Sequence, residues 1–566
     1  MDVKNWKRYC YTTNIFPKHN KNDYFYLGIY SLEKSDQGEI FIDDVSAERI
    51  NFLIGINNDR EEVYDIIYVV YQIYGSRKNY NLNDFDLTTK IIDNKNKTYY
   101  VKKINLSSFN FIDSIEIKNI GLIANNFYQI ESALKNKKDN ITDIYYYTFK
   151  KINKINRNVR FDQYGRMFVN DELFFPLSTS IRVVSESDLI LMNKAHINLL
   201  LLESPNKKLM DLIHSFQNGK IKVIYSLYDS ICSDLDISTC SDLKKEENYK
   251  KILDKIDEFK DHPALLLWKI HDERSYCFNN IFRNWTLTFH ELDPNHPIYS
   301  VVYVSEINQL MNSTDIMGVY SYPIDEESRI RNVYNAYSYN PFITIKGMGG
   351  VQIFDWSVYN IGKPNFNPVV PTLQEMKCMS WQYIVAGAKG LRFYSFYEFI
   401  KMDEYSPFEK RWKDFVELTD ELWKYKDIIL SIDKINEIEY YDNFNVIFKQ
   451  WKYNKTNHIV IVNLEYHKEI FKINLLDKYK IYKEFGLGNF KQNETEIIFD
   501  LEPIDVVMIK YSKNNKKSNL LIIISVVFII IILIAVIVFI VRKYLINKYQ
   551  TKTFIDSISK LMNDNN

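Results

Sequence analysis

Two adjacent carboxylates end a strongly apolar, strand-like segment of the chain. This segment, His262–Glu273, reads HPALLLWKIHDE, so Asp272 and Glu273 directly follow residues typical of a buried strand. Because side chains alternate along a strand, the two carboxyl groups cannot both continue on the same side. An apolar wall such as Trp268 helps a carboxyl group to keep its proton, which a general acid requires. The pattern predicts that Glu273 donates a proton at a catalytic site to which Asp272 also belongs.

Other polar and aromatic residues stand at the ends of further predicted strands. Flat aromatic rings stack on the apolar faces of sugars, and neighbouring polar groups bind the hydroxyls. We therefore predict a carbohydrate-binding cleft whose substrate contacts come from Tyr228, Asp229, Tyr320, Tyr322, Gln352, Trp356 and Tyr394. Aromatic residues form 15% of the chain, so packing at a barrel rim is the alternative role for each ring. His196 and His271 lack a second ligand at metal-binding spacing, so we predict neither a metal nor a cofactor.

These residues belong to a stretch in which strand-like and helical segments alternate. The segments typical of strands are Phe175–Val183, Ile197–Glu203, Lys222–Tyr228, Leu265–His271, Ile298–Val304, Asp315–Tyr320, Phe342–Gly347 and Gly390–Phe396. Eight strand–helix units within about 230 residues favour a (β/α)8 TIM barrel of the α/β class, whose usual size is about 250 residues. A doubly wound open sheet is the alternative. Gly347–Gly350 lacks the spacing of its phosphate-binding loop, which favours the barrel.

Short apolar runs separated by polar clusters flank the barrel on both sides. Such runs are typical of β-sandwich domains. We predict seven parts: 1–22 (N-terminal segment), 23–157 (β-sandwich), 158–428 (barrel), 429–512 (C-terminal β-sandwich), 513–519 (tether), 520–541 (transmembrane helix) and 542–566 (short tail).

The order and spacing of several segments resemble clan A glycoside hydrolases of the β-galactosidase and cellulase-like type. Gly165–Pro176 resembles the strand pair that leads into their first barrel strand, and His262–Glu273 resembles their fourth strand. Further resembling segments are Asp293–Pro297, Tyr320–Pro323, Pro371–Glu375 and Ala386–Ser395. The resemblance covers about residues 160–400. It implies that Glu273 is the general acid/base and that a glutamate nucleophile ends the seventh strand.

The nucleophile that this resemblance implies is missing. The segment Phe342–Trp356 has no glutamate and offers Gln352 and then Asp355, and an amide cannot attack an anomeric carbon. Either Asp355 or Glu398 supplies the second carboxylate, or the substrate supplies its own nucleophile, or the barrel binds sugar without cleaving it. The sequence predicts a hydrolase of oligosaccharides, polysaccharides or glycoconjugates. The alternative is a catalytically inactive carbohydrate-binding or adhesion protein.

A single uninterrupted apolar segment lies near the C-terminus. Leu520–Val541 has no charged residue and exceeds the roughly 20 residues that a helix needs to cross a bilayer. Lysine and arginine flank both ends, so the positive-inside rule gives no orientation. Glycosylation sequons before the helix suit an extracellular or lumenal body with a cytosolic tail, and they lie at Asn96, Asn105, Asn140, Asn284, Asn312, Asn454 and Asn493.

An alternative topology keeps the body in the cytosol. Met1–Cys10 and the residues after it contain no apolar signal segment, as expected of a tail-anchored protein or of a sequence whose true start lies upstream. The five cysteines lack a paired C-x-x-C spacing, although Cys232 and Cys240 are placed for a local disulfide or for unpaired structural roles. Lys+Arg and Asp+Glu both number 72, so bulk charge does not indicate nucleic acid as a partner.

Overall fold

The structure is a computed structural model. It describes residues 52–56, 62–64, 66–73, 84–104, 106, 112–118, 120–138, 140, 142–153, 155–232, 235–236, 241–242, 246–310, 313–324, 329–338, 347–363, 367–433, 438–440, 443–475, 479–493, 495–513 and 516–563. The predicted N-terminal segment 1–22 lies outside these residues, as do Asn105 and Asn312 of the predicted sequons.

Two facing β-sheets form the N-terminal domain, which confirms the predicted sandwich. One sheet has the strand order Glu62–Val63, Thr142–Lys151, Phe127–Asn136, Phe85–Asp93 and Thr98–Ile104. The other has the order Phe52–Ile56, Ile66–Ile73 and Ile112–Lys118. Buried residues alternate with less buried ones along Phe127–Asn136, as expected of a strand with one face on a core. The hydroxyl of Tyr71 lies 2.7 Å from that of Thr89 and joins the two sheets within this core.

A three-stranded antiparallel sheet leads from the sandwich into the barrel. Its strands are Val159–Phe161, Met167–Val169 and Glu172–Phe174, and the last two contain the strand pair predicted within Gly165–Pro176. Side chains of this sheet share one apolar cluster with barrel side chains such as Leu201. The same cluster contains Leu199, Ile316 and Met348, the first residues of three barrel strands, so this small sheet covers the amino-terminal end of the barrel.

Eight parallel strands close into a barrel in chain order, which confirms the predicted fold and excludes the open sheet. They are β1 (Leu177–Ser180), β2 (Leu199–Glu203), β3 (Lys222–Ser226), β4 (Leu265–Asp272), β5 (Ile298–Val302), β6 (Ile316–Tyr320), β7 (Met348–Gln352) and β8 (Leu391–Tyr394). Closure is made by β1 and β8, where Leu177 pairs with Leu391. The residues are almost continuously buried along the strands, as in other parallel sheets covered by helices.

The seventh strand lies later in the chain than predicted. It runs from Met348 to Gln352, whereas residues 342–346 of the predicted strand lie outside the described part of the chain. A pair of glycines at this point favours a loop in a reading of the sequence alone. In the barrel, however, a Cβ atom on Gly350 would collide with the ring of Tyr320, and one on Gly349 with the ring of Tyr383. The glycines therefore allow close packing inside a strand.

Helices and short turns connect the barrel strands. Within the described part of the barrel, the longer connecting helices and α5 are α1 (Glu186–Lys194), α2 (Lys207–Ser215), α3 (Glu246–Phe259), α4 (Asn279–Leu292), α5 (Ile307–Leu310), α6 (Asn332–Ser338), α7 (Leu373–Ala386) and α8 (Phe408–Ile429). Two short helices, Tyr228–Cys232 and Phe396–Lys401, follow β3 and β8 at the carboxyl ends of those strands. A TIM barrel carries its reactive groups at this carboxyl-terminal face, which we call the mouth.

A second sandwich follows the barrel, as predicted. One of its sheets has the order Glu439–Tyr440, Glu469–Asn474, Glu496–Leu501 and Asn489–Asn493, and the other Val446–Tyr453, Thr456–Asn463, Val506–Lys513 and Tyr479–Phe485. Side chains of the second sheet, among them Trp451, Val460 and Met508, belong to the same apolar core as the barrel. The C-terminal sandwich is thus packed directly against the barrel.

A single long helix, α9 (Lys516–Asn563), ends the described chain. Its part from Ser525 to Ser559 is long and apolar enough to cross a membrane. The predicted tail at 542–566 continues this helix as far as Asn563. Large apolar side chains such as Phe528 and Phe539 are exposed along it, which suits contact with lipid.

The cysteines differ from the predicted local pair. Cys277 forms a disulfide bond. Cys232 and Cys378 are free and buried, so a disulfide between Cys232 and Cys240 is wrong and the unpaired alternative holds for Cys232. Cys232 is the last residue of the helix Tyr228–Cys232 and belongs to the apolar core of the barrel.

Candidate active site

The end of β4 holds the two adjacent carboxylates in different environments. Asp272 is the last residue of the strand, and its Oδ2 lies 2.7 Å from the buried Nζ of Lys269. The same ammonium group lies 3.3 Å from Oε1 of Glu203 at the end of β2. Asp272 is therefore held in an ion pair. Glu273 takes a left-handed backbone conformation, with φ of +47°. Its side chain therefore does not follow the regular up-and-down alternation of the strand residues before it.

Glu273 reaches solvent at the mouth and has a raised pKa. Desolvation by the surrounding protein raises the pKa of its carboxyl group above the usual glutamate value, and the negative charge of Asp272 raises it further. Arg392, Lys269 and a hydrogen bond donated by the Tyr303 hydroxyl oppose this rise without cancelling it. A glutamic acid with a raised pKa stays protonated nearer to neutral pH, as a general acid must.

A buried guanidinium lies at the centre of the barrel. Arg392 of β8 is 2% exposed and donates hydrogen bonds to the hydroxyls of Tyr299, Tyr320 and Ser180, which come from β5, β6 and β1. Its positive charge partly offsets the rise that burial causes in the pKa values of Glu273 and Glu398. Arg392 thus ties three strands together and acts electrostatically on two carboxyl groups of the mouth.

Gln352 fills the end of β7, where the resemblance implies a nucleophile. Its side chain is fully buried, and Nε2 donates to the carbonyl oxygens of Ile324 at 3.0 Å and Phe354 at 3.1 Å. Oε1 accepts a hydrogen bond from the backbone N–H of Ile324 at 2.8 Å. One amide hydrogen and the amide oxygen therefore hold the loop after β6 against β7, and the other amide hydrogen bonds the backbone just after β7. This arrangement leaves little of the amide to bind a substrate.

The two candidates for the second carboxylate have different surroundings. Asp355 is fully buried and caps the turn Trp356–Tyr359, accepting a hydrogen bond from the backbone N–H of Ser357 at 2.8 Å. Glu398 is also buried, accepts a hydrogen bond from the Ser395 hydroxyl, and has a pKa raised by burial. Lys401, Arg182 and Arg392 partly offset that rise. Asp355 has a structural role in this turn, whereas Glu398 is a titratable group beside the charges of the mouth.

Aromatic rings line the mouth on the side of β6, β7 and β8. The ring of Tyr322 stacks between those of Tyr320 and Tyr394, with centroid distances of 5.6 and 5.5 Å, and meets Trp356 edge-on at 6.3 Å. The hydroxyl of Tyr322 and Nε1 of Trp356 are buried and make no hydrogen bond with the described residues. Buried polar atoms normally have partners, so two unsatisfied donors in this wall of the mouth are unusual.

The opposite side of the mouth carries cations around one tyrosine. The ring of Tyr228 lies 5.2 Å from the Nζ atom of Lys269 and 5.2 Å from the guanidinium carbon of Arg274. Asp229, next in the chain, is exposed on the short helix after β3. The predicted residues thus divide between two sides of the mouth, and their roles toward a substrate remain predictions.

The structure adds residues that the sequence analysis did not single out. Lys269 bridges the carboxylates of two strands, and Arg392 donates hydrogen bonds to hydroxyl groups of three strands. The sequence does contain a signal for both residues, because a lysine or arginine inside an otherwise apolar predicted strand is rarely buried without a partner. His271 is fully buried against Phe282 at a centroid distance of 4.2 Å, and His196 pairs with Asp420 at 2.9 Å. Among the described residues, no cluster of side chains has the composition of a metal site.

Solved glycoside hydrolases are similar to this chain in structure. A β-glucuronidase from Parabacteroides merdae matches at 11% identity and a TM-score of 0.33, over 82% of this chain and 74% of its own. A family 2 β-galacturonidase from Eisenbergiella tayi, bound to galacturonate, matches at 13% identity and 0.35, over 63% and 69%. A family 5 enzyme from Bacteroides vulgatus matches at 14% identity and 0.43, over 63% and 94%.

No family model matches the sequence, and no curated protein matches it either. TM-scores below 0.5 and identities below 15% carry no argument about activity. The class of the protein therefore rests on its own strands: a closed (β/α)8 barrel between two β-sandwiches, followed by one apolar helix.

Proposed function

We propose that the barrel mouth binds a carbohydrate and hydrolyses a glycosidic bond, with Glu273 as the general acid. The observation that carries the proposal is the carboxyl group of Glu273, which has a raised pKa and stands at the carboxyl end of β4. Its left-handed backbone is a further sign, since such conformations in non-glycine residues cluster at functional sites. The segment around Glu273 also resembles the acid/base strand of clan A glycoside hydrolases.

The second carboxylate in this proposal is Glu398. It accepts the proton of a water molecule as the water oxygen bonds to the anomeric carbon, and Glu273 gives its proton to the departing oxygen as the glycosidic bond breaks. Direct displacement by water does not need a nucleophile on β7, where Gln352 stands. Asp355 is the weaker candidate because its carboxylate caps the turn after β7.

A second candidate function is sugar binding without cleavage. It is favoured by Gln352, whose amide is hydrogen-bonded to backbone where the resemblance implies a glutamate. The two functions are separated by incubating the detergent-solubilised full chain with a panel of aryl glycosides. Release of the aryl alcohol supports the hydrolase, and sugar binding without release supports the binding protein.

The pH dependence of hydrolysis provides a specific prediction. The acid must be protonated, so kcat/KM falls as the pH rises through the raised pKa of Glu273. The base must be ionised, so kcat/KM also falls as the pH drops through the pKa of Glu398, which burial raises. We expect a bell-shaped profile displaced upward from the usual glutamate range. A 2,4-dinitrophenyl glycoside, whose leaving group needs no acid, should lose the alkaline limb, and an unchanged limb would contradict the assignment of Glu273.

We propose that the folded body lies on the extracellular or lumenal side, with the end of the chain in the cytosol. The five sequon asparagines that the structure describes are all exposed: Asn96, Asn140, Asn284, Asn454 and Asn493. The disulfide at Cys277 also suits an oxidising compartment. Treating the protein from a eukaryotic host with peptide N-glycosidase should increase its electrophoretic mobility. Unchanged mobility, together with reduced Cys277, would support the cytosolic alternative.

A further inference from the structure

A cavity lies between the last barrel helix, α8, and the C-terminal sandwich, and none of its lining residues belongs to the mouth. Its volume is about 290 Å³. The helix α8 contributes Tyr425, and the sheet contributes His458, Tyr482, Glu484 and Lys510. This volume is just below the range of about 300–1,000 Å³ for small-molecule sites, so it suits one or two sugar rings rather than a longer ligand.

The cavity exists because one face of the sheet changes from apolar to polar along its strands. Val460 and Met508 are paired on adjacent strands and pack into the core shared with the barrel. Two residues along the same strands, His458 is paired with Lys510, and Lys510 with Tyr482 of the next strand. These three neighbouring side chains line the space beside α8.

The polar groups of the cavity provide both donors and acceptors. Glu484 lies 2.7 Å from the ammonium group of Lys510 and accepts a hydrogen bond from the Tyr425 hydroxyl at 3.3 Å. His458 is only 7% exposed, and its Nδ1 atom makes no hydrogen bond with the described residues. Buried polar side chains are normally satisfied, so an unpaired imidazole nitrogen on this face of the sheet is unusual.

The charge of the lining selects the kind of ligand. The charges of the Glu484 carboxylate and the Lys510 ammonium group cancel each other. Burial lowers the pKa of His458, which keeps its imidazole neutral. A phosphate or sulfate would meet no excess positive charge from these groups. Sugar hydroxyls both donate and accept hydrogen bonds, so they match the mixed lining, and the rings of Tyr425 and Tyr482 offer apolar surface to a pyranose.

We propose that this cavity binds one neutral hexose or N-acetylhexosamine, independently of the barrel mouth. Two sources supply this chemistry. Asn454 and Thr456, the acceptor and hydroxyl positions of a sequon, both line the cavity, so the first sugar of a glycan on Asn454 begins at its edge. The other source is a separate glycan.

The test measures sugar binding to the unglycosylated full chain, made in bacteria and solubilised in detergent. Glucose, galactose, mannose and N-acetylglucosamine are titrated with detection by saturation-transfer NMR. His458→Phe keeps an aromatic ring but removes both nitrogens, and Tyr482→Ala removes a ring from the exposed edge. We expect wild-type protein to bind at least one of the sugars and both variants to bind it at least tenfold more weakly. Tyr440→Ala, in the other sheet, is the matched control and should bind normally.

Binding that is absent in the wild type, or unchanged in both variants, would overturn the proposal. Glu273→Gln should leave binding at the cavity intact, so failure of the hydrolase proposal and failure of this one are distinguishable. Protein from a glycosylating host identifies the source. If the glycan on Asn454 fills the cavity, free sugar binds only after Asn454→Gln, and if free sugar binds equally without that change, the ligand is a separate glycan.

Discussion

Replacing Glu273 by glutamine should lower kcat on unactivated glycosides about 10²- to 10⁴-fold, the usual contribution of a general acid. Glutamine is nearly isosteric with glutamate but has no proton to give to the leaving oxygen. Sugar binding should persist, because the rings of Tyr322 and Trp356 on the other side of the mouth are unchanged. The measurement is steady-state hydrolysis of an alkyl or aryl glycoside that the wild-type protein cleaves.

The matched control for this substitution is Glu417→Gln, on the exposed face of α8. It makes the same chemical change outside the mouth and should leave kcat within experimental error of the wild type. A 2,4-dinitrophenyl glycoside should partly restore turnover by Glu273→Gln, since its leaving group departs without protonation. If the variant cleaves unactivated substrates as fast as the wild type, Glu273 is not the acid.

Replacing Trp268 by alanine should lower the free energy of unfolding of the barrel by about 3–5 kcal/mol. The ring is fully buried in β4, where it contacts Tyr225 and Phe289 at centroid distances of 5.2 and 5.5 Å. Its Nε1 also donates a hydrogen bond to Asp293 at 2.7 Å. Alanine leaves a cavity and removes this bond. Urea unfolding followed by far-UV circular dichroism measures the loss.

Trp268→Phe separates the two parts of that effect. Phenylalanine keeps most of the buried apolar volume but cannot donate to Asp293, which still accepts a hydrogen bond from His296 at 2.7 Å. We expect a smaller destabilisation of about 1–3 kcal/mol, typical of a lost buried hydrogen bond and a reduced ring. Equal effects of the phenylalanine and alanine variants would contradict the dominant role of packing in β4.

The charges inside the barrel place the neighbouring carboxyl groups of Asp272 and Glu273 in different electrostatic states. Lys269 bridges Glu203 and Asp272, so the carboxylate next to Glu273 is held in an ion pair. Its negative charge still raises the pKa of Glu273. The pKa of Glu273, the proposed acid, is therefore raised by desolvation and by the adjacent anion of Asp272. The raised pKa does not depend on a carboxylate on β7.

Several features of this fold follow from local sequence patterns. The apolar run before Asp272 specifies β4 because continuously buried strands need continuous apolar side chains. The alternation of strand-like and helical segments determines the parallel barrel, and a charge-free run determines the C-terminal helix. These signals are readable because each arises from residues that are close together in the chain.

The position of β7 and the states of the mouth residues required the tertiary structure. Gly349 and Gly350 resemble a loop in sequence, and only the rings of Tyr383 and Tyr320 across the barrel explain why glycines stand in a strand. The same holds for Gln352, whose bonds go to Ile324 on the loop after a different strand.

The sequence by itself determined which carboxylates exist and where Glu273 stands, at the end of an apolar strand. Only the tertiary structure decided the state of each carboxyl group. Asp272 is held in an ion pair, Asp355 caps a turn, and Glu398 is buried with a raised pKa. The physical reason is that burial and charge depend on groups brought together from distant parts of the chain. Arg392, whose charge partly offsets the rise in the pKa values of both Glu273 and Glu398, follows Glu273 by more than a hundred residues in sequence yet shares the same barrel interior.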